Sequence, residues 1–169
     1  YKLDMSYAMS SPLLNLIGLI AAAIVAIVSF AWVPGLLMRP LVAQIPTEWL
    51  PIVGFLLFDF VSYWTHRFYH EIPILWKFHA IHHSTEHLDW VSGFRAHPFD
   101  GTLIAPAFAF LIAAGFSPEI TGLFAIFQIV LGLLLHANVR FRLRWLHPFL
   151  GTPEMHHWHH SNEEEAIWT

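Results

Sequence analysis

The sequence predicts an all-α integral membrane bundle, with about four transmembrane helices and a histidine-rich helical cap on the cytosolic side. Hydrophobic residues make up 56% of the chain and charged residues only 12%, whereas soluble domains average roughly 25% charged residues. Several long apolar runs are separated by short polar segments, and all 13 histidines lie beyond Thr65. We expect a single domain over residues 1–169, truncated at one or both ends.

The composition also excludes several classes of site and partner. The chain has no cysteine, so it can form neither disulfides nor cysteine-ligated zinc or iron–sulfur sites. Its formal net charge of −4 gives no basic surface of the kind that binds nucleic acid. The partner that this composition favours is the lipid bilayer.

The first half of the chain contains two predicted membrane helices. Leu13–Val33 is a run of 21 residues without a charge, which as a helix would be about 31 Å long and would match a hydrocarbon core of roughly 30 Å. We expect this helix to end at Pro34. A connector over residues 38–48 then leads to a second helix from Trp49 to about Thr65, which continues past the membrane through His70.

The second half contains a polar-faced helix and two further apolar runs. Trp76–His87 is predicted to form a helix outside the bilayer, followed by a loop over Gly93–Asp100. Thr102–Phe116 and Ile120–Leu135 are somewhat short for a full crossing, so they form either a tight transmembrane hairpin or a re-entrant one. We favour two crossings.

The charge distribution predicts the orientation. Four crossings would place the N-terminus, residues 65–100 and everything after Leu135 on one side. Arg39 is the one basic residue on the other side, so the positive-inside rule makes the first side cytoplasmic. We therefore expect the histidine-rich segments on the cytoplasmic side of a bacterial inner membrane or of the endoplasmic reticulum. The basic residues of that side are Lys2, Arg67, Lys77, Arg95, Arg140, Arg142 and Arg144.

Eight of the histidines fall into three helically spaced clusters. Residues three and four apart share one face of a helix, so each cluster would present its imidazoles together. Neutral imidazole binds iron, zinc, copper and nickel, and a zinc site uses three or four protein ligands. Eight imidazoles, with His136 as a ninth candidate, are too many for one ion and suit two. The three clusters are His66 and His70; His79, His82 and His83; and His156, His159 and His160.

Two carboxylates lie where they could orient these histidines. Asp59 is two helical turns before His66, and a carboxylate within a membrane helix costs roughly 2.5–3.5 kcal/mol unless it has a partner. We expect Asp59 to orient a ligand imidazole directly or through water; the alternative is a hydrogen bond to a neighbouring helix. Glu86 lies close to the second cluster and is a further candidate.

The motifs resemble those of the fatty acid hydroxylase/sterol desaturase superfamily over about residues 49–162. The first reads Asp59-Phe-x-x-Tyr-Trp-x-His-Arg-x-x-His, and Pro73-x-Leu-Trp follows it. The others read His79-x-x-His-His-Ser and His156-x-x-His-His-Ser. The resemblance implies nine metal ligands, with no catalytic residue separate from them: His66, His70, His79, His82, His83, His136, His156, His159 and His160.

The resemblance also adds candidates around the ligands. His136 and Asn138 look like the His-x-Asn element of the family. His97 lies in Arg95-x-His97-Pro, which resembles another recurring element, and His157 is extra to the third motif. We treat Asn138, His97 and His157 as candidates that surround the ligands.

By resemblance, the chain would be an integral-membrane oxidoreductase that uses a di-iron centre and O2 to hydroxylate or desaturate a sterol, a fatty acyl chain or a related lipid. Electrons would come from NAD(P)H through a cytochrome b5-, ferredoxin- or reductase-type protein. Zinc would be able to replace iron in a purified sample, because it outcompetes ferrous iron at nitrogen sites.

Two other classes of function remain open at this point. A membrane protein that binds metal without oxidase activity, such as a transporter, would place its ligands near the bilayer midplane. A zinc-dependent lipid hydrolase would need one open site with three ligands and a general base. The position and the number of the histidines favour the oxidoreductase.

Overall fold

The computed structural model describes residues 2–28, 31–100, 104–139, 144–147 and 150–161. These ranges contain helices, turns and loops and no β-strand, so the all-α prediction is confirmed for them. Short 3-10 turns cover Thr47–Trp49, Ser92–Phe94 and Arg144–Leu146. The helices are α1 (Lys2–Val28), α2 (Trp32–Val42), α3 (Leu50–Glu71), α4 (Pro73–His82), α5 (Ala105–Ala114), α6 (Pro118–His136) and α7 (Pro153–His159).

The first apolar run differs from its prediction. It does not form one helix that ends at Pro34: α1 already begins at Lys2 and ends at Val28, and α2 begins at Trp32. Pro34 lies in the first turn of α2, where its missing N–H costs no intrahelical hydrogen bond. The predicted connector over residues 38–48 is also wrong in its first part, because α2 continues to Val42.

The long helix α3 was predicted correctly, and the helix after it was not. α3 carries its histidines to its C-terminal end at Glu71. Ile72 has an extended backbone, as expected for a residue before proline. Pro73 then opens α4, a position that proline favours. α4 ends at His82, five residues before the predicted end, because the chain turns there and its next loop returns to the histidines.

The short helix α5 lies at the centre of the bundle and packs against α1, α2, α3 and α6. Its alanines allow close approach: a Cβ added to Gly35 of α2 would lie 2.6 Å from the Phe110 carbonyl oxygen and 2.7 Å from the Cβ of Ala113. Gly115, with φ of 96°, ends the helix in the left-handed region. Ten helical residues measure about 15 Å, so α5 itself covers about half of a hydrocarbon core of roughly 30 Å and ten of the fifteen residues over which we predicted a crossing.

Among the helices that the structure describes, α6 is the one that is long and apolar enough to cross a membrane. Only 11% of its apolar window is buried inside the protein, so most of this surface faces outward. Four crossings stay a prediction. At the N-terminus of α6 the hydroxyl of Ser117 accepts a hydrogen bond from the Ile120 N–H, and its last residue is His136.

An aromatic core holds α3, α5 and α6 together and thereby positions the histidines. The ring of Phe58 in α3 lies 5.3 Å from that of Phe108 and 5.8 Å from that of Phe124. Phe58 and Leu111 are fully buried, and burying a side chain of this size stabilises the fold by about 1.5–3 kcal/mol. Because α3 and α6 carry their histidines at their C-terminal ends, this core brings those histidines to the same end of the bundle.

Candidate metal centre

The structure gathers the nine predicted ligand histidines into two groups. Within each group, one ring nitrogen from every member lies within 4.8 Å of the others. Segments that are far apart in sequence contribute to both, because α4 and α7 each supply histidines to the two groups. Their role as ligands stays a prediction, which the geometry below supports. The five-histidine group is His66, His70, His79, His83 and His159, and the four-histidine group is His82, His136, His156 and His160.

In the five-histidine group, the Nε2 atoms point towards one another. The Nε2 atom of His79 lies 3.0 Å from that of His66 and 3.2 Å from that of His83. The Nε2 atoms of His66 and His70 are 3.2 Å apart. His159 of α7 completes the group, with its ring centroid 4.6 Å from that of His70 and 4.9 Å from that of His83.

The four-histidine group repeats this arrangement. The Nε2 atom of His136 lies 3.0 Å from that of His82 and 3.0 Å from that of His156. The Nε2 atoms of His156 and His160 are 3.1 Å apart. His136 therefore connects a histidine of α4 to one of α7 through the end of α6.

These spacings fit nitrogen ligands of a metal ion. Metal–nitrogen bonds of about 2.0–2.1 Å place two ligand nitrogens about 3.0 Å apart at a right angle and about 3.4 Å apart in a tetrahedron. The observed separations of 3.0–3.2 Å fall in that range. A chain of imidazole–imidazole hydrogen bonds would instead need protons on the Nε2 atoms.

The opposite ring nitrogens show where the protons are held. Nδ1–H of His79 donates to the Asp100 carboxylate at 2.7 Å, and both side chains are buried. Nδ1–H of His82 donates to the Arg95 carbonyl at 3.1 Å, and Nδ1–H of His136 donates to the Gly132 carbonyl at 2.7 Å. An acceptor on Nδ1–H fixes the tautomer whose Nε2 lone pair is free for a metal.

Burial keeps these rings neutral. Burial, with smaller contributions from neighbouring imidazoles, lowers the pKa of His79 and of His82 to about 3. The same causes hold the pKa of His83 and of His160 far below the usual range for histidine. At neutral pH the rings are therefore uncharged, as ligand imidazoles must be.

The two groups touch each other and open onto one polar cavity. The rings of His83 and His160, one from each group, stack with centroids 4.1 Å apart and planes at 15°. The cavity beside them has a volume of about 390 Å³ and gives solvent a route to this stacked pair. It is lined by His83, Ser84, Thr85, Glu86, His160 and Ser161.

The carboxylate in direct contact with an imidazole is Asp100 rather than Asp59, and a role of Asp59 through water stays a prediction. Asp59 is exposed on α3, and it lies seven residues, about 10 Å along the helix, before His66. In the described part of the chain, Asp59 makes no direct contact with a ligand histidine. Asp100 takes that place from the loop before α5. Sequence spacing could not reveal it, because Asp100 lies on a different segment; the signal available was an acid in a loop between two histidine clusters.

The remaining candidates lie around the groups without entering them. The ring of His97 lies 4.8 Å from that of Phe78, and its Nδ1 accepts a hydrogen bond from the Phe99 N–H. A ring N–H of His157 donates to the Ala137 carbonyl at 3.2 Å. Asn138 is exposed, and Glu86 lines the cavity mouth. Their roles around the ligands stay predictions.

Fold and site together define an all-α protein with two adjoining histidine groups, each of which could hold a metal ion. The model of the fatty acid hydroxylase family matches residues 51–169, the range that contains both groups. The chain belongs to this fatty acid hydroxylase family.

The relatives found by sequence comparison are lipid-modifying enzymes. An ornithine lipid hydroxylase of Rhizobium tropici is 35% identical over 122 residues, which cover 70% of this chain and 36% of that protein. Alkylglycerol monooxygenases are 30% identical in Danio rerio and 29% identical in Homo sapiens, over 72% of this chain and 26% and 27% of those proteins. The chain thus spans about a third of the length of the first relative and about a quarter of the others. No solved structure matches it.

Proposed function

We propose that the chain is the catalytic domain, over residues 1–169, of an O2-dependent lipid hydroxylase whose nine histidines hold two iron ions. The observation that carries this proposal is the convergence of nine imidazoles into two groups with Nε2 atoms 3.0–3.2 Å apart, in a chain of the fatty acid hydroxylase family. A single ion would use the histidines of only one group, whereas two ions, one in each group, would use all nine.

Iron suits the proposed chemistry better than zinc. Imidazole accepts both metals, but zinc has no redox chemistry, and the relatives are named as a hydroxylase and monooxygenases. Bound iron would supply the activation of O2 and the oxidation of an unactivated C–H bond, while the protein positions the substrate. The chain's own contribution is to hold neutral imidazoles in place, in part through acceptors on the Nδ1–H groups of His79, His82 and His136.

The overall reaction sets what must be delivered to the site. Hydroxylation converts a C–H bond, O2, two electrons and two protons into an alcohol and one water. Desaturation uses the same inputs to remove two hydrogens and releases two waters. The names of the relatives favour hydroxylation. We propose that the electrons come from NAD(P)H through a cytochrome b5-, ferredoxin- or reductase-type protein, because each turnover consumes two electrons that a reductant must supply.

A membrane position for the site is supported by α3 and α6. The outward surface of α6 is apolar. On α3, the exposed rings of Tyr63 and Trp64 lie one turn or less before His66, and the Arg67 guanidinium lies 5.8 Å from the Trp64 ring. Aromatic and cationic side chains of this kind are typical of a membrane–water boundary. We therefore propose four crossings, with the metal centre at the cytoplasmic boundary of a bacterial inner membrane or of the endoplasmic reticulum.

The two alternative functions fit this geometry less well. A zinc hydrolase would need three ligands and an open position, and each group has more. In a transporter the ligands would lie near the middle of broken membrane helices. Here the histidines of α3 and α6 lie in the last turns of those helices.

The proposal is tested with purified protein loaded with ferrous iron under anaerobic conditions. With isotopically labelled O2, a reductant and a panel of ornithine lipid, alkylglycerol, fatty acyl lipid and sterol, we expect one product that has gained one labelled oxygen atom. His82→Ala should lose this activity, because it removes a ligand of the four-histidine group, while the exposed Glu48→Gln should retain it. Full activity in His82→Ala, or turnover without O2, would contradict the proposal.

A further inference from the structure

The buried carboxylate of Asp100 lies at the edge of the five-histidine group. Its side chain is 3% exposed, and its Oδ1 accepts a hydrogen bond from Nδ1–H of His79 at 2.7 Å. The backbone around it is hydrogen-bonded as well. The Asp100 N–H donates to the His97 carbonyl at 2.8 Å, and the Tyr69 hydroxyl donates to the Phe99 carbonyl at 2.9 Å.

The outer partners seen in the four-histidine group are of a different kind. His82 and His136 donate to the backbone carbonyls of Arg95 and Gly132, which carry no net charge. The loop after Ser92–Phe94 thus supports one histidine of each group, with a carboxylate for His79 and a carbonyl for His82. Among these three histidines, the outer partner is a carboxylate in the five-histidine group and a backbone carbonyl in the four-histidine group, and the groups also differ in their number of imidazoles.

A carboxylate on the far nitrogen of a ligand histidine has a known physical effect. It raises the basicity of the imidazole and fixes its orientation, and losing such a partner typically lowers metal affinity by about 10–100-fold. Its negative charge also offsets part of the charge of the ion. A backbone carbonyl fixes the orientation but supplies no net charge.

We propose that Asp100 is a positioning residue that makes the two metal sites inequivalent, so that the five-histidine group takes up its ion first and binds it more tightly. The four-histidine group is then the weaker site. The inference rests on the proposed function in one respect: it requires that two ions bind.

The test is a metal titration that does not depend on activity. Metal-free protein in detergent is titrated anaerobically with ferrous iron and followed by calorimetry. The wild type should bind two ions in two steps. Asp100→Asn keeps the shape and a hydrogen-bond acceptor but removes the charge, and it should weaken the first step by about 10–100-fold and leave the second unchanged. Glu48→Gln, an exposed acid outside the site, should behave as the wild type.

Asp100→Asn with two unchanged steps, or with both steps weakened equally, would overturn the inference; the second pattern indicates a general structural role. Circular dichroism and gel filtration establish whether the variant is folded. If it is not, His66→Ala and His136→Ala decide the question. The tight binding step should be lost in His66→Ala and retained in His136→Ala, and the reverse result would overturn the inference. Fewer than two ions in the wild type would refute the proposed di-iron centre itself.

Discussion

Gly93 allows a single methyl group to test how closely the four-histidine group is held. A Cβ at Gly93 would lie 3.2 Å from Nδ1 and 3.3 Å from Cγ of His136. Contacts of that length require the neighbour to give way by a few tenths of an ångström. The His136 ring has little freedom, because its Nδ1–H donates to the Gly132 carbonyl at 2.7 Å and its Nε2 lies 3.0 Å from two other imidazoles.

Gly93→Ala should therefore weaken iron binding at the four-histidine group and leave the five-histidine group unchanged. We expect the affinity of one ion of the two to fall by about 10–100-fold, the range seen when the support of a ligand is disturbed. The stability of the fold should not fall to a comparable extent. Gly93 has no positive φ, and a glycine-to-alanine change at such a position stabilises a protein by about 0.4–1 kcal/mol when nothing else moves.

The assay combines iron quantification per chain after loading at limiting concentrations with the melting temperature of the metal-free protein. Gly122→Ala in α6 is the matched control, because its added Cβ meets nothing within 4 Å and it should keep both ions. If Gly93→Ala binds both ions as tightly as the wild type, the close contact with His136 does not affect iron affinity. Loss of both ions together would also refute the reasoning, since the five-histidine group lies outside this contact.

Two further predictions concern pH and the attachment of α1. The pKa of His79 and of His82 is lowered to about 3 in the fold, against about 6.5 in an unfolded chain, so the unfolded state binds more protons between these values. Stability of the metal-free protein should be full above about pH 6.5 and fall as the pH drops towards 3; a melting temperature that rises over that window would contradict this. Arg95 donates from Nε to Asp4 of α1 at 3.0 Å, and both side chains are 14% exposed. Arg95→Leu should cost about 1–3 kcal/mol of unfolding free energy in urea titrations, and the charge-exchanged pair Asp4→Arg with Arg95→Asp should recover part of it, whereas equal stability of all three proteins would show that the pair contributes nothing.

The helices that were predicted best are those whose bounds depend on neighbouring residues in the sequence. α3 was expected from Trp49 through His70 and runs over Leu50–Glu71, because an apolar run, a proline in its first turn and a proline just after its end all act on neighbouring residues. The first apolar run was divided incorrectly, because Pro34 was read as a helix end. Proline is equally compatible with the first turn of a new helix, and the packing of Gly35 against α5 cannot be read from composition.

The candidate site also has features that local spacing predicts and features that only tertiary packing sets. Helical spacing grouped histidines that share a face, but it assigned His79, His82 and His83 to one cluster. In the structure His79 and His83 belong to one group and His82 to the other, because the Nε2 atom of His79 faces that of His66 in α3, whereas the Nε2 atom of His82 faces that of His136 in α6. Asp100 was missed for a related reason: it reaches His79 across 21 residues of chain, and no spacing rule covers such a distance.

The sequence by itself determined the all-α class of the described residues and the long helix α3, and it predicted eight clustered imidazoles from their spacing and His136 as a ninth, because helix period and side-chain chemistry are properties of adjacent residues. Only the tertiary structure decided how those imidazoles divide into five and four, which carboxylate supports them, and that α5 is a short central helix. These features depend on where α3, α4, α6 and α7 meet. The packing of Phe58, Leu111 and Phe124 in the core sets how α3, α5 and α6 lie together, and no local sequence pattern predicts that packing.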